Sequence, residues 1–78
     1  MKPYIVKFNH VSERERGGYD SEEMYLCLHA ESRQLAFEKY LHVTGGETHQ
    51  NYVVSVTDEQ KVEAFWDRDA WKFVTIPS

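Results

Sequence analysis

The residues of this chain that could carry metal or nucleophile chemistry are few and scattered. Cys27 and His29 are two residues apart, so on a β-strand their side chains would point to the same face. A structural zinc site needs four ligands, and the other three histidines stand at no recognisable metal-ligand spacing from this pair. Cys27 also lies within an alternating apolar run, far from the turn or helix N-terminus that activates a thiol. The sequence therefore predicts no metal site, and Cys27 is expected to be a small core residue.

The carboxylates and glycines give no catalytic pattern either. Acidic pairs occur at 22–23 and 58–59 and on both sides of Arg68, and each stands in a polar stretch typical of a turn. The Gly17–Gly18 and Gly45–Gly46 pairs lack the surrounding residues and the lysine of a phosphate-binding loop. A chain of 78 residues also has little room for a deep pocket. We expect a protein that is not an enzyme and carries no cofactor.

Two charged stretches contain the candidates for contact with a partner. The stretch 12–23 reads SERERGGYDSEE and places arginines, carboxylates and a tyrosine around a Gly-Gly turn signal. Arginine and tyrosine are enriched among the residues that dominate binding energy. A second charged stretch, DRD, stands between aromatic residues near the end of the sequence. The candidate partner-binding residues are Arg14, Arg16, Tyr19, Asp20, Glu22, Glu23, Asp67, Arg68 and Asp69.

Length and composition predict one small folded domain covering residues 1–78. The hydrophobic fraction of 41% is ordinary for a folded protein, and a net charge of −4 argues against sequence-independent binding to a phosphate backbone. The single cysteine excludes an internal disulfide and favours a reducing compartment. The first residues, MKPYIVKFNH, alternate instead of forming the apolar core of a signal peptide, and no membrane-spanning run follows. We therefore expect a soluble, cytoplasmic protein with no membrane contact.

Hydrophobic periodicity predicts strands followed by one helix. Apolar residues alternate over 3–11 and over 23–30, and the polar stretch between them is expected to be a long, mobile hairpin loop. Bulky residues on both faces of the second strand favour a place near the sheet centre. A helix is expected over 32–43, with Ser32 as N-cap, Gly45–Gly46 as terminator and an apolar face of Leu35, Ala36, Tyr40 and Val43. NYVVSV then predicts a third strand.

The stretch 58–74 admits two interpretations. A helix would place Asp69 inside the apolar stripe and Trp71 outside it. A hairpin with DRDA at its turn, and with Trp66 opposite Trp71, leaves no residue wrongly placed. We favour the hairpin, which gives an α+β fold of order β-β-α-β-β-β with a five-stranded antiparallel sheet and one helix on one face. The alternative order is β-β-α-β-α.

The order of these elements resembles small phage-encoded anti-CRISPR inhibitors of type I surveillance complexes. The segments that carry the resemblance are LHAESRQLAFEKY, YVVSV and VEAFWDRDAWKFV, with AES opening the only helix. The resemblance implies a non-enzymatic inhibitor in the bacterial host cytoplasm. Such an inhibitor would bind a CRISPR defence complex and block recognition of its nucleic-acid target. The chain departs from the pattern in its longer first loop and in having DRD where a glycine would stand at the last turn.

Two other functions remain open at this point. A strand face with Tyr4, Phe8 and Tyr25 beside lysines could stack single-stranded bases, which would make the chain a small nucleic-acid-binding accessory protein. Alternatively, those aromatics form the core under the helix. The chain could also be an assembly module. It would then be a homodimer that pairs through an exposed edge strand, instead of a monomer.

Overall fold

The computed structural model describes residues 1–46 and 51–75. It contains six elements: β1 (Lys2–Glu13), β2 (Tyr19–Ala30), α1 (Arg33–Thr44), β3 (Asn51–Thr57), β4 (Glu63–Asp67) and β5 (Lys72–Thr75). The five strands form one antiparallel sheet in the order β2-β1-β3-β4-β5, with the helix against one face. The predicted α+β fold of order β-β-α-β-β-β is confirmed. The alternative helix over 58–74 is wrong, because residues 58–62 form a turn and the β4–β5 hairpin begins at Glu63.

The alternation of β1 decides which face of the sheet becomes the core. Tyr4, Val6 and Phe8 are buried toward the helix, while Ile5 on the opposite face is 45% exposed. We call that opposite, solvent-facing side the open face. Between Lys7 and Phe8 the register with β3 shifts by one residue, so that Lys7 pairs with Ser55 and Phe8 with Val53. This bulge keeps Phe8 and Val53 on the helix side.

The helix begins and ends where its flanking residues dictate. The Ser32 hydroxyl accepts a hydrogen bond from the Leu35 N–H at 3.2 Å, and Gly45 adopts the left-handed conformation at φ 81°. The predicted Ser32 cap and glycine terminator are therefore confirmed. The predicted apolar face is wrong at two positions, since Leu35 is 43% and Val43 65% exposed. The buried stripe is rotated toward Phe37 because its ring is the one that reaches the β4–β5 hairpin.

Aromatic rings join the helix to the sheet. Phe37 lies 4.2 Å from Trp66 and 5.7 Å from Phe73, and Tyr40 lies 5.2 Å from Phe8, all between ring centroids. Each such pair contributes roughly 0.5–1.5 kcal/mol beyond the area it buries. Phe37 therefore ties the β4–β5 hairpin to the helix, and Tyr40 ties the helix to β1.

The first hairpin differs from its prediction in two ways. The expected long loop over 12–23 is a short turn, because β1 continues to Glu13 and β2 begins at Tyr19. The polar residues Ser12 and Glu13 still pair with Asp20 and Tyr19, since a ladder with both faces in solvent needs no apolar side chains. β2 is also an edge strand, not a central one. β1 lies inside the sheet, where it pairs with β2 on one side and with β3 on the other.

The last hairpin has a register different from the predicted one. Trp66 pairs with Phe73 and Asp67 with Lys72, so the turn comprises residues 68–71 instead of DRDA. The Trp66 and Trp71 rings still meet edge to face, 4.9 Å apart. The register moves because the Asp67 carboxylate accepts hydrogen bonds from the backbone N–H groups of Asp69 and Ala70, which closes the turn just beyond Asp67.

Candidate functional site

The β1–β2 hairpin extends past the other described strands of the sheet. Within residues 1–46 and 51–75, the pairing of β1 with β3 reaches His10 and Asn51, whereas β1 stays paired with β2 as far as Glu13 and Tyr19. Every residue from Ser12 to Tyr25 is exposed. We call residues 11–23 the acidic projection. Among the residues that the structure describes, Ser12 to Tyr25 is the longest continuous exposed run, and the acidic projection holds most of it.

The tip of the acidic projection is held by local bonds. The Arg14 N–H donates to the Gly18 carbonyl at 3.1 Å, and the Gly17 N–H donates to the Arg14 carbonyl at 3.2 Å. Both glycines have positive φ, 88° and 86°, which other residues adopt only with strain. The Arg14 guanidinium forms an ion pair with Asp20 across the turn, and this hydrogen bond raises the pKa of Arg14. The tip therefore has a defined shape despite its exposure.

Most of the chain's net charge lies on this hairpin. Residues 11–23 contain five carboxylates and two arginines, so they carry a net −3 of the chain's −4. Tyr19, beside the turn, is 72% exposed. Six of the nine predicted site residues lie here: Arg14, Arg16, Tyr19, Asp20, Glu22 and Glu23. The structure thus brings this group together on one protruding element.

A cluster of hydrogen-bonded and ion-paired side chains lies on the open face, at the base of the acidic projection. The Tyr25 hydroxyl donates to the Glu23 carboxylate at 2.7 Å, and the Lys7 ammonium lies 3.7 Å from the same carboxylate. The hydrogen bond to Glu23 raises the pKa of Tyr25, because ionisation of the phenol would break it. Sequence reasoning missed this cluster. The signal was present in the strand alternation, which places Lys7 opposite Tyr25 once the β1–β2 register is known.

The other three predicted site residues lie in the β4–β5 turn. The Asp67 carboxylate closes that turn, as described above. The Arg68 guanidinium donates to the Val53 carbonyl at 2.8 Å and lies 5.3 Å from the centroid of the Tyr52 ring. Asp69 is exposed. Asp67 and Arg68 therefore make contacts that hold the fold together.

The two predicted groups do not form one continuous surface. Both turns lie at the same end of the sheet, because β1 and β4 run in the same direction. The two hairpins are separated by three strand spacings, about 14 Å. The acidic projection also continues past the level at which the β4–β5 turn closes. A partner bound to the acidic projection could contact Asp69 only if it also covered the end of the sheet at β1 and β3.

The base-stacking face proposed from the sequence is wrong in its geometry. Tyr4 and Phe8 are buried under the helix, at 6% and 8% exposure, while Tyr25 is on the open face. The alternative interpretation, that these three aromatics form the core under the helix, is confirmed for Tyr4 and Phe8 and wrong for Tyr25, which is 62% exposed. The three rings cannot stack on one strand of bases.

Cys27 is also placed differently from its prediction. It is exposed on the open face of β2, not buried in the core. Within residues 1–46 and 51–75, no three side chains of His, Cys, Asp or Glu come together as metal ligands would. No helix in the same described ranges is long and apolar enough to cross a membrane.

Comparison with known proteins identifies no relative. No protein-family model, no curated protein sequence and no solved structure matches this chain. The function must therefore be argued from the acidic projection and from the fold that presents it.

Proposed function

We propose that this protein is a non-enzymatic inhibitor that binds a bacterial CRISPR surveillance complex and blocks recognition of its nucleic-acid target. The observation that carries the proposal is the acidic projection: a hairpin exposed from Ser12 onward, with a net charge of −3 and a tip fixed by backbone hydrogen bonds. The sequence resemblance to type I anti-CRISPR inhibitors supplies the class of partner.

The charge of the acidic projection suits a groove that normally holds nucleic acid. Such grooves are lined with lysine and arginine, which contact phosphates. Carboxylates on a narrow ribbon can approach the same cations and steer the encounter. Tyr19 and Arg16 supply an aromatic ring and a guanidinium near the tip, the residue types that most often anchor an interface.

The hairpin also suits inhibition better than catalysis. A two-stranded ribbon is narrow enough to enter a channel, while the sheet and helix behind it stay outside. The ion pair between Arg14 and Asp20 keeps the tip closed before binding, so less conformational entropy is lost on association.

Competition with target DNA is the direct test. A purified type I surveillance complex would be incubated with the chain, and binding of a labelled target duplex would be followed by fluorescence anisotropy. We expect a stoichiometric loss of target binding. The double variant Glu13→Lys/Glu22→Lys should weaken inhibition at least about tenfold, because it places two cations against a basic groove.

A matched control uses the same change of charge elsewhere. Glu38 on the helix and Glu59 between β3 and β4 are exposed carboxylates outside the acidic projection. The variant Glu38→Lys/Glu59→Lys should inhibit as well as the wild-type chain. Equal weakening by both double variants would mean that only net charge matters. Unchanged target binding at excess inhibitor would reject the proposal. Binding of the chain to the DNA itself, released by salt, would favour the nucleic-acid-binding function.

A further inference from the structure

The outer side of β2 is an open strand edge. β2 spans Tyr19–Ala30 and pairs with β1 without a register shift. It is the first strand of the sheet order, and no other described strand pairs with it. It contains no proline. Natural sheets usually protect an edge with a bulge, a proline, charged side chains or a very short strand, and the β5 edge of only four residues follows that rule. The carboxylates of β2 stand in its first half, at Asp20, Glu22 and Glu23, so its second half, residues 24–30, carries no carboxylate, lysine or arginine of its own.

The hairpin turn fixes which backbone groups of β2 point outward. The Arg14 N–H bonds to the Gly18 carbonyl, so Arg14 and Gly18 form a hydrogen-bonded pair. Hydrogen-bonded and non-hydrogen-bonded pairs alternate along an antiparallel ladder. The even-numbered residues of β2 therefore bond to β1, and the odd-numbered residues from Tyr19 to His29 direct their N–H and C=O groups outward. The Lys39 ammonium accordingly donates to the His29 carbonyl from outside the sheet.

The side chains of β2 complement a second copy of the same strand. If two copies pair antiparallel with Leu26 opposite itself, Met24 lies opposite Leu28 on the helix side. On the open face, Tyr25 lies opposite Cys27 and Glu23 opposite His29. Apolar side chains then meet apolar ones, and a carboxylate meets an imidazole that can carry positive charge.

Neighbouring registers lack this charge complementarity. With Tyr25 on the two-fold axis, Glu23 would lie opposite Cys27. With Cys27 on the axis, the position opposite Glu23 would be Glu31, which lies beyond the end of β2, so Glu23 would have no partner on the strand. The register centred on Leu26 also pairs the odd-numbered residues through their outward N–H and C=O groups. The His29 carbonyl has a second lone pair, so the bond from Lys39 does not prevent this pairing.

We propose that this protein forms a symmetric homodimer through the edge of β2, with Leu26 on the two-fold axis. The two sheets join into one antiparallel sheet of ten strands. The interface is isologous, because each copy offers the same edge to the other. The acidic projections of the two copies then point in opposite directions.

The first test removes one outward-facing backbone N–H of β2 and leaves the hydrogen bonds between β1 and β2 in place. Tyr25 directs its N–H outward, so Tyr25→Pro removes no hydrogen bond to β1, and an edge strand tolerates proline at such a position. Analytical ultracentrifugation should show that the wild-type chain dimerises. The dissociation constant of the Tyr25→Pro dimer should be at least about tenfold higher than that of the wild-type dimer. Tyr25→Val, which keeps the N–H, should still dimerise. A wild-type chain that stays monomeric up to about 1 mM would overturn the proposal.

The second test reads the register and does not depend on the proline variant. In a Cys27→Ser background, Leu26→Cys places two thiols opposite each other across the axis, and oxidation should link the two chains. Leu28→Cys in the same background separates the thiols by four residues along the strand, about 13 Å, which is too far for a disulfide. Linking by Leu26→Cys alone supports the proposal. Equal linking by both variants, or linking by Leu28→Cys alone, overturns it.

Discussion

The two hairpins of this protein use similar residues for opposite purposes. The β1–β2 hairpin is long and exposed from Ser12 to Tyr25, its turn included. The β4–β5 hairpin is short, and its Trp66 lies 4.2 Å from Phe37 of the helix. One hairpin stands exposed in solvent, and the other completes the core.

The turns show how the same charged residue types acquire different roles. Asp20 pairs with Arg14 in solvent, whereas Asp67 accepts two backbone N–H groups and Arg68 bonds to the Val53 carbonyl. A charged turn in a sequence therefore does not by itself indicate a binding surface. What separates the two cases is the distance from the aromatic core.

The two turns also accommodate positive φ in different ways. The first uses Gly17 and Gly18, whereas the second places Trp71 at φ 54°. For a side chain other than glycine this conformation costs roughly 1–2 kcal/mol. The Trp71 ring lies 4.9 Å from Trp66 and 6.0 Å from Phe37, so aromatic packing offsets the strain in the second turn.

The largest expected difference between the hairpins is in core packing. Trp66→Ala should lower the free energy of unfolding by about 3–5 kcal/mol, because it removes a buried ring that meets three others. Tyr19→Ala, at an exposed position, should leave it unchanged within about 0.5 kcal/mol. Urea denaturation followed by circular dichroism measures both. Comparable losses would mean that the acidic projection is packed in solution and is not a free element.

The next difference is in backbone strain. Gly18→Ala should destabilise the fold by about 1–2 kcal/mol, because alanine at φ 86° is strained although its Cβ meets no neighbouring atom. In the other turn, Trp71→Gly should be more stable than Trp71→Ala by about 1 kcal/mol, since both lose the ring and only glycine escapes the strain. The midpoints of urea denaturation report the order of stability of these variants. If Trp71→Ala were more stable than Trp71→Gly, the turn would have relaxed to negative φ.

A smaller difference separates the acidic residues. Asp67→Ala should cost about 1 kcal/mol of unfolding free energy, because two backbone N–H groups lose their acceptor. Asp67→Asn keeps an acceptor oxygen and should recover most of the loss. Asp69→Ala should have no measurable effect on the same urea curves. A loss at Asp69 as large as that at Asp67 would contradict the assignment of the turn bonds.

The smallest expected effect is a pH dependence at the base of the acidic projection. The hydrogen bond to Glu23 raises the pKa of Tyr25 above its ordinary value near 10. The bond therefore favours the folded state below about pH 10, and this contribution is lost as the pH rises through the folded-state pKa. Ultraviolet titration at the phenolate band should show Tyr25 ionising above its ordinary value. Glu23→Gln should bring its midpoint back toward the ordinary value, and an unchanged midpoint would contradict the bond.

Much of the fold could be predicted because it depends on local patterns. The alternation in PYIVKFNHV, the Ser32 cap and the Gly45 terminator each determine an element through nearby residues. The edge position of β2 and the register of Trp66 could not be predicted, because they depend on which strand meets β1 and how Asp67 closes its turn. For the candidate site, residue types selected a first group that the structure places on one exposed hairpin. They could not show that Asp67 and Arg68 are occupied by contacts within the fold.

The central ladder between β1 and β3 has a consequence for the rate of folding. The Arg14–Asp20 bond closes over six residues, whereas the Asn9 side chain bonds to the Tyr52 hydroxyl across 43 residues of sequence. Hairpins as local as β1–β2 and β4–β5 form in roughly microseconds, but joining them through β3 first requires a much larger loop to close. We expect this joining step to lie in the rate-limiting transition state. Until it occurs, the apolar side of β1 remains exposed, and the newly made chain is most prone to aggregation in that interval.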